Sequence, residues 1–436
     1  MELYIIPFKK EFIIYRPLLQ MAFIANKKMA LYLKEKIAGN CRHSYSDAEK
    51  FLDSINFWRN DPDVPNCSVN EYKPVKTALL MTGNCNMRCT YCYARGGDDK
   101  NLSMSFSVAR TVIDYIYKNA SEKNMKNFSV SFHGGGEPTM NWETLKETVE
   151  YAKNKDLPCN ISMSTNGVLE DYQKEFIVKH FDSLNISFDG IAEIQEKQRP
   201  LRNGKSSFYP VIKTIKELDR FKIPYSIRIT TVPDSFDRLA GSVSFICEET
   251  ECKTVQIEPC YLNKRGIYRD PSRNHIKSFT SSFIKAYETG RDYGRHVFYS
   301  GARPWVIASS FCLCAEDCLV VTPQGDIVTC FEIHDRSHPL FSLFTAGKVT
   351  SRVNVDRDKI YEFIDKQKRL RNNCRDCFCY RHCGGDCPSR VMATKKEQRG
   401  RCEVNRILTE ELLVWYIAEG KGLWKGFCNK SSFIST

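Results

Sequence analysis

Nowhere in the 436 residues is there a long, uninterrupted apolar run. The nearest candidate, "IIYRPLLQMAFIA", is broken by Arg16 and Pro17 and falls short of the roughly 20 apolar residues that cross a bilayer. The opening "MELYIIPFKKEF" lacks both the apolar core and the small-residue cleavage site of a secretory signal. These absences predict no membrane partner and a cytoplasmic, reducing setting. Long charge runs are missing too. The excess of 64 basic over 52 acidic residues, a formal +12, is spread along the chain, which predicts a mixed solvated surface and no nucleic-acid partner.

Cysteine, by contrast, is abundant, with 20 residues. In a reducing compartment clustered cysteines point to metal ligands rather than disulfides. Cys85, Cys89 and Cys92 fall in a C-x3-C-x2-C spacing within "GNCNMRCTYCYA". Three thiolates on a four-iron cubane leave one iron open, whereas a structural zinc site needs a fourth ligand that this loop does not offer.

The middle of the chain alternates two periodicities. "TALLM", "FSVSF", "NISMST", "LNISFD", "YSIRITTV" and "TVQIEP" read as strands, and the segments between them space apolar residues three and four apart, as helices do. Six strands joined by crossover helices predict an α/β fold with a parallel sheet over about residues 76–260 of a domain taken as 76–300, open or curved into a partial barrel, with chemistry gathered at the carboxyl ends of its strands.

A C-x3-C-x2-C loop after the first strand of such a barrel resembles the radical S-adenosylmethionine (radical SAM) superfamily. The resemblance implies that Cys85, Cys89 and Cys92 bind a [4Fe-4S] cluster whose open iron holds S-adenosylmethionine. It also implies that reductive cleavage gives a 5'-deoxyadenosyl radical. Cofactor contacts are implied at Tyr91 beside the motif, at Gly135, Gly136 and Glu137 of "HGGGEP", and at Ser164 and Asn166 of "STNG". Ser187 of "SFDG" and Arg199 of "QEKQRP" complete the set, the arginine suited to a carboxylate. Asn166 and Asp189 also sit where a helix cap would.

A denser cysteine set follows. "CRDCFCYRHCGGDC" holds Cys374, Cys377, Cys383 and Cys387 as C-x2-C-x5-C-x3-C. Cys402 comes later, and Gly325 stands five residues before Cys330. This resembles the SPASM domain, expected over residues 301–402, and implies two further [4Fe-4S] clusters. Cys374, Cys377, Cys383 and Cys402 would hold one. Cys330 and Cys387 would hold the other with Cys312 and Cys318, Cys314 being the alternate. Cys379 has no place in the pattern, and Cys41, Cys67, Cys159, Cys247, Cys252, Cys260 and Cys428 are scattered.

Residues 1–75 read as a small α+β segment. A hairpin is followed by a helix capped by Asn26, with Met29, Leu33 and Ile37 on one face, and by a second helix from Ser46 with Glu49 closing a capping box and Phe51, Leu52 and Ile55 inside. The layout resembles the peptide-recognition segments that precede many peptide-modifying members of the superfamily, and equally fits a cap on the barrel. Residues 403–436 read as a terminal helix. The function expected is a maturase that forms a thioether or carbon–carbon cross-link in a ribosomally synthesised precursor peptide, fed by a flavodoxin- or ferredoxin-type electron donor. The alternatives are a peptide epimerase and an anaerobic sulfatase-maturing enzyme. Members of the sulfatase-maturing group carry an aspartate base just after the cysteine matching Cys330. Here Phe331 stands in that place, leaving Glu332 as the candidate catalytic base.

Overall fold

A computed structural model describes residues 1–40, 45–64, 71–98, 102–265, 267–268, 270–312, 314–393 and 400–426. Cys41, Cys67 and Cys428 lie outside the described residues. The predicted strands all form: β4 (Lys76–Leu80), β5 (Phe128–His133), β6 (Cys159–Thr165), β7 (Ser183–Ser187), β8 (Tyr225–Thr231) and β9 (Thr254–Pro259), preceded by β1 (Tyr4–Phe8), β2 (Glu11–Arg16) and β3 (Met21–Ala25). A small antiparallel pair, β10 (Leu262–Lys264) and β11 (Ile267–Tyr268), follows β9. Then come β12 (His296–Phe298), β13 (Cys318–Val321), β14 (Asp326–Val328), β15 (Thr345–Val349), β16 (Val353–Val355) and β17 (Leu423–Lys425).

Strands β4 to β9 pair in parallel in sequence order, with β12 added beyond β9. Helices Phe106–Glu122, Trp142–Lys153, Asp171–His180, Phe208–Phe221 and Leu239–Glu249 make the crossovers, giving the partial barrel expected. On the helix-packed face Val130, Phe132, Leu184 and Ile186 are buried; on the other, Ser131, His133, Asn185 and Ser187 are only half-buried. A (β/α)8 barrel fills its interior with branched apolar residues. This one keeps a polar lumen, as a binding cavity requires.

The cysteine-rich part continues the same sheet. β13 runs parallel to β4, with Cys318 opposite Lys76, and β14 to β16 extend it as an antiparallel meander. The first and last parts of the chain meet in a second sheet, ordered β1-β2-β3-β17. The predicted hairpin is therefore half of a four-stranded sheet. Its last strand comes from the C-terminus, where helix Gly400–Glu419 begins before residue 403 and ends short of β17. Trp424 is buried there against Tyr15 and Tyr416.

Two local expectations fail for tertiary reasons. Asn26 does cap its helix, through Met29 N at 2.9 Å. Glu49, however, makes no capping box with Ser46, because Tyr32 Oη donates to it at 2.6 Å and Lys36 Nζ at 3.0 Å. Ile37 and Phe51 are exposed, while Leu33, Leu52 and Ile55 are buried as expected. Pro7 occupies the middle of edge strand β1. It offers no N–H there, so the free edge is blunted against a pairing strand.

Candidate active site at the mouth of the barrel

The loop bearing Cys85, Cys89 and Cys92 leaves the carboxyl end of β4 and is held on three sides. Along one, it pairs with the segment around Arg199: Arg88 N donates to Pro200 O and Thr90 N to Gln198 O, both at 2.8 Å, and Arg202 N to Asn86 O at 2.8 Å. Along the second, the glycine loop after β5 lies backbone to backbone on it, with Gly136 N donating to Thr82 O at 2.9 Å and Glu137 N to Asn84 O at 2.7 Å. A Cβ on Gly136 would stand 1.9 Å from Asn84 O, so only glycine permits this approach. Gly135 is constrained by the cysteine-rich part: a Cβ there would meet the His334 ring at 2.6 Å.

The third restraint was not visible in the sequence. Arg265, from the turn joining β10 and β11, donates to Cys89 O at 2.6 Å and to Gly96 O at 2.9 Å, and pairs with Asp98 at 3.1 Å. One guanidinium thus bridges both ends of the Cys89–Cys92 half of the loop.

Within this frame the candidate side chains form two networks. Glu137 is buried; its Oε1 accepts from Thr165 Oγ1 at 2.7 Å and Thr139 Oγ1 at 3.1 Å, and its Oε2 from Asn166 N at 2.8 Å. Burial raises its carboxyl above the usual range. Asn166 then donates through Nδ2 to Asn86 Oδ1 at 2.7 Å and weakly to Cys85 Sγ at 3.7 Å. Cys85 Sγ also accepts from Met87 N, and Cys92 Sγ from Gly96 N, each at 3.4 Å. Burial, followed by the Glu137 charge, pushes the Cys85 thiol up to about 12. A proton held that firmly is lost when a metal takes the sulfur.

The second network centres on Asp189, fully buried. It accepts from Tyr91 Oη at 2.7 Å, Gln198 Nε2 at 2.8 Å and Thr230 N at 3.0 Å, so it is a junction between strands and not a helix cap. Arg199 lies beyond it. Its Nη1 is 4.0 Å from Asp189 and its guanidinium 5.7 Å from the Tyr91 ring centre. It is 7% exposed, yet Nε and Nη1 have no hydrogen-bond partner. A buried guanidinium with idle donors has the chemistry to pair with a carboxylate. Ser164 and Ser187 stand half-buried on the lumen face of β6 and β7.

The cysteine-rich part reaches this mouth through the turn after β14. His133 stacks on Phe331 with centroids 5.3 Å apart, and Tyr93 meets His334 edge-on at 6.5 Å. Burial, with Arg228 adding to it, lowers His133 to about 4, so it is neutral at physiological pH. Glu332 faces the second cysteine loop. Its Oε2 accepts from Ser389 Oγ at 2.6 Å and its Oε1 from Arg390 at 2.8 Å, and Ser389 touches Cys387 Sγ at 3.1 Å.

Burial, followed by the charges of Glu332 and Cys387, pushes the Cys330 thiol up, and burial with the Glu332 charge lifts Cys387 to about 11. Cys312 shares a thiol hydrogen bond with Cys314, and its charge acts on Cys318, which burial lifts to about 12. In the dense motif, Cys383 Sγ accepts from Asn405 Nδ2 at 3.4 Å and faces Cys402. Cys377 shares a thiol hydrogen bond with Cys379, which is buried against Thr409. Among the described residues no three His, Cys, Asp or Glu side chains close around a single ion; a cubane differs in spreading its cysteines one per iron.

Comparison with known proteins agrees with this geometry. Residues 79–246 match the Radical SAM superfamily. An uncharacterized protein of Methanocaldococcus jannaschii is 34% identical over 38% of this chain and 57% of its own length. A cysteine-type anaerobic sulfatase-maturating enzyme of Clostridium novyi is 28% identical over 48% of this chain and 55% of its own. The chain thus spans little more than half the length of these two relatives. The radical SAM cyclopropyl synthase TigE of Paramaledivibacter caminithermalis is 23% identical over 77% of this chain and 73% of its own. Among solved structures, native anSMEcpe with bound AdoMet superposes with a TM-score of 0.61 at 19% identity, covering 79% of this chain and 99% of that one. The likeness shows the fold, cysteine-rich extension included. The chain carries a radical SAM domain, built around the loop of Cys85, Cys89 and Cys92.

Proposed function

We propose that this chain is a radical SAM maturase acting on a peptide, and the observation that carries the reading is the idle, buried guanidinium of Arg199 beside the cysteine loop. The residues fit the cofactors the domain implies: Cys85, Cys89 and Cys92 would hold a [4Fe-4S] cluster, and Arg199 the carboxylate of S-adenosylmethionine. When bound, these groups supply a 5'-deoxyadenosyl radical that takes a hydrogen atom from substrate. Glu137 holds the ends of β5 and β6 together and keeps Oε2 capacity for an amino group. Asp189 fixes Tyr91, and Gln198 with it, beneath Arg199. Gly135 and Gly136 let the loops close over the mouth.

Two further clusters, on Cys330 and Cys387 with two of Cys312, Cys314 and Cys318, and on Cys374, Cys377, Cys383 and Cys402, complete the reading. They would bring the total to about twelve irons. Arg265→Gln is expected to lose iron from the first cluster several times faster on exposure to air, because the fork between Cys89 O and Gly96 O is gone. Arg265→Lys, keeping the charge without the fork, should fall between. Iron release followed by a colorimetric chelator measures this, and equal rates in all three proteins would remove Arg265 from the account.

Peptide substrates are supported by the polar lumen, which offers an extended chain hydrogen-bonding groups, and by relatives: native anSMEcpe has been solved with bound AdoMet and Kp18Cys peptide. Pro7 leaves the edge of β1 a poor template for strand addition, so the lumen side is favoured for contact with the modified residue. Phe331 in place of a carboxylate, with Glu332 engaged by Ser389 and Arg390, favours a cross-link over formylglycine formation. Anaerobic co-expression with each neighbouring short reading frame, followed by tandem mass spectrometry, should give a peptide about two mass units lighter, the loss of two hydrogens. A formylglycine in a sulfatase, with every peptide unchanged, would defeat the peptide reading.

A further inference from the structure

The helix Arg357–Asn372 changes character along its length. Residues 357–365 mix signs, with Asp358, Glu362 and Asp365 beside Arg357 and Lys359. From Lys366 to Arg375 there are five cations, Lys366, Lys368, Arg369, Arg371 and Arg375, and no acid. In sequence this is part of an even spread of charge, but in three dimensions it becomes a patch. Lys366, Lys368, Arg369 and Arg375 are exposed. Lys368 has only Asp365, 3.8 Å away, and among the described residues Lys366, Arg369 and Arg375 have no carboxylate within ion-pair distance. Arg371 faces inward instead, donating to Ala308 O at 2.9 Å and to Ser309 O and lying 4.3 Å from the Tyr380 ring centre. It anchors the end of the helix.

That end runs straight into a cysteine pair. Cys374 N donates to Arg371 O at 2.8 Å, Cys377 N to Cys374 O at 3.0 Å, and the exposed residues Arg375 and Asp376 separate the two cysteines in sequence. The same cysteine segment continues to Cys387, whose Sγ meets Ser389 Oγ at 3.1 Å; Ser389 in turn donates to Glu332, the neighbour of the Phe331 that stacks on His133 at the barrel mouth. The cysteine-rich part therefore links the lumen to a cationic surface.

We propose that Lys366, Lys368, Arg369 and Arg375 dock an acidic one-electron carrier protein against the Cys374–Cys377 turn. The inference rests on the reading of this chain as a cluster-bearing maturase. Closing a cross-link removes from the peptide one hydrogen atom, then one electron and one proton. The proton goes to solvent, and the electron leaves by the cysteine-rich part to the oxidised carrier, which is reduced by one. A patch confined to half a helix suits such an encounter, since redox complexes bury the smallest interfaces and draw on charge for their association rate. Nucleic acid would need a longer basic stripe than one bounded by Asp358, Glu362 and Asp365.

The test uses the reconstituted full chain and oxidised flavodoxin as the acidic probe, with affinity measured by calorimetry at low and moderate salt. Wild type should bind at least tenfold more weakly as salt rises from about 20 to 200 mM. Lys366→Glu/Lys368→Glu/Arg369→Glu should weaken low-salt binding at least tenfold. Reversing Lys213, Lys216 and Arg220 on the helix Phe208–Phe221, which crosses from β7 to β8, should leave it within twofold. Unchanged binding in the first variant, equal losses in both variants, or tighter patch-dependent binding of a DNA duplex would overturn the proposal. Dithionite-driven deoxyadenosine formation, which bypasses docking, is followed in parallel. Its presence in the first variant at the wild-type rate is expected, whereas its absence from wild type would count against the enzyme reading and not against the patch.

Discussion

Replacing Cys85, Cys89 and Cys92 together by alanine is expected to lower bound iron from about twelve to about eight atoms per chain and to abolish deoxyadenosine formation. The magnitude follows from position. All three sulfurs lie on one loop held by backbone bonds to the segment 198–202 and to the glycine loop, and the triple replacement removes every cysteine of that loop. The cysteines of the other set sit on β13, on the turn after β14 and beyond the helix Arg357–Asn372, and their iron should be unaffected. Elemental analysis with chromatography of the nucleoside products measures both effects. Twelve irons in the triple variant would move the first cluster elsewhere.

Arg199→Leu is expected to keep its iron and lose S-adenosylmethionine affinity by about a hundredfold. Losing a buried charge-assisted pair costs on the order of 3 kcal/mol, and each 1.4 kcal/mol is a factor of ten. The same substitution should lower the melting temperature of the cofactor-free protein only modestly. Nε and Nη1 have no hydrogen-bond partner, and the ion pair to Asp189 is 4.0 Å long. Asp189 loses that cation but keeps three donors, Tyr91, Gln198 and Thr230. A drop of several degrees with unchanged cofactor affinity would make Arg199 a structural residue only.

What the sequence disclosed is what is local. The cysteine spacings are contained in short loops, and the strands announce themselves by a period of two with apolar residues buried on one face, as along β5 and β7. What it hid depends on distant pairing. Arg265 lies well over a hundred residues from the carbonyls it bridges. No sequence period says that β13 will run parallel to β4, or that β17 will close a sheet with β3. The failed capping box shows the same limit from the other side: Ser46 and Glu49 satisfy the local rule, but Tyr32 and Lys36 of the preceding helix take the carboxylate. Asp189 likewise occupies a cap-like position in the sequence, but Tyr91, Gln198 and Thr230, all distant from a local cap, take its carboxylate.

The most direct test of the account is a single anaerobic incubation of the reconstituted wild-type chain with S-adenosylmethionine and dithionite, with the nucleosides resolved by chromatography. The account requires 5'-deoxyadenosine and methionine in equal amounts, increasing with time and dependent on the reductant. Intact S-adenosylmethionine after prolonged incubation of a protein carrying its full complement of iron would contradict it.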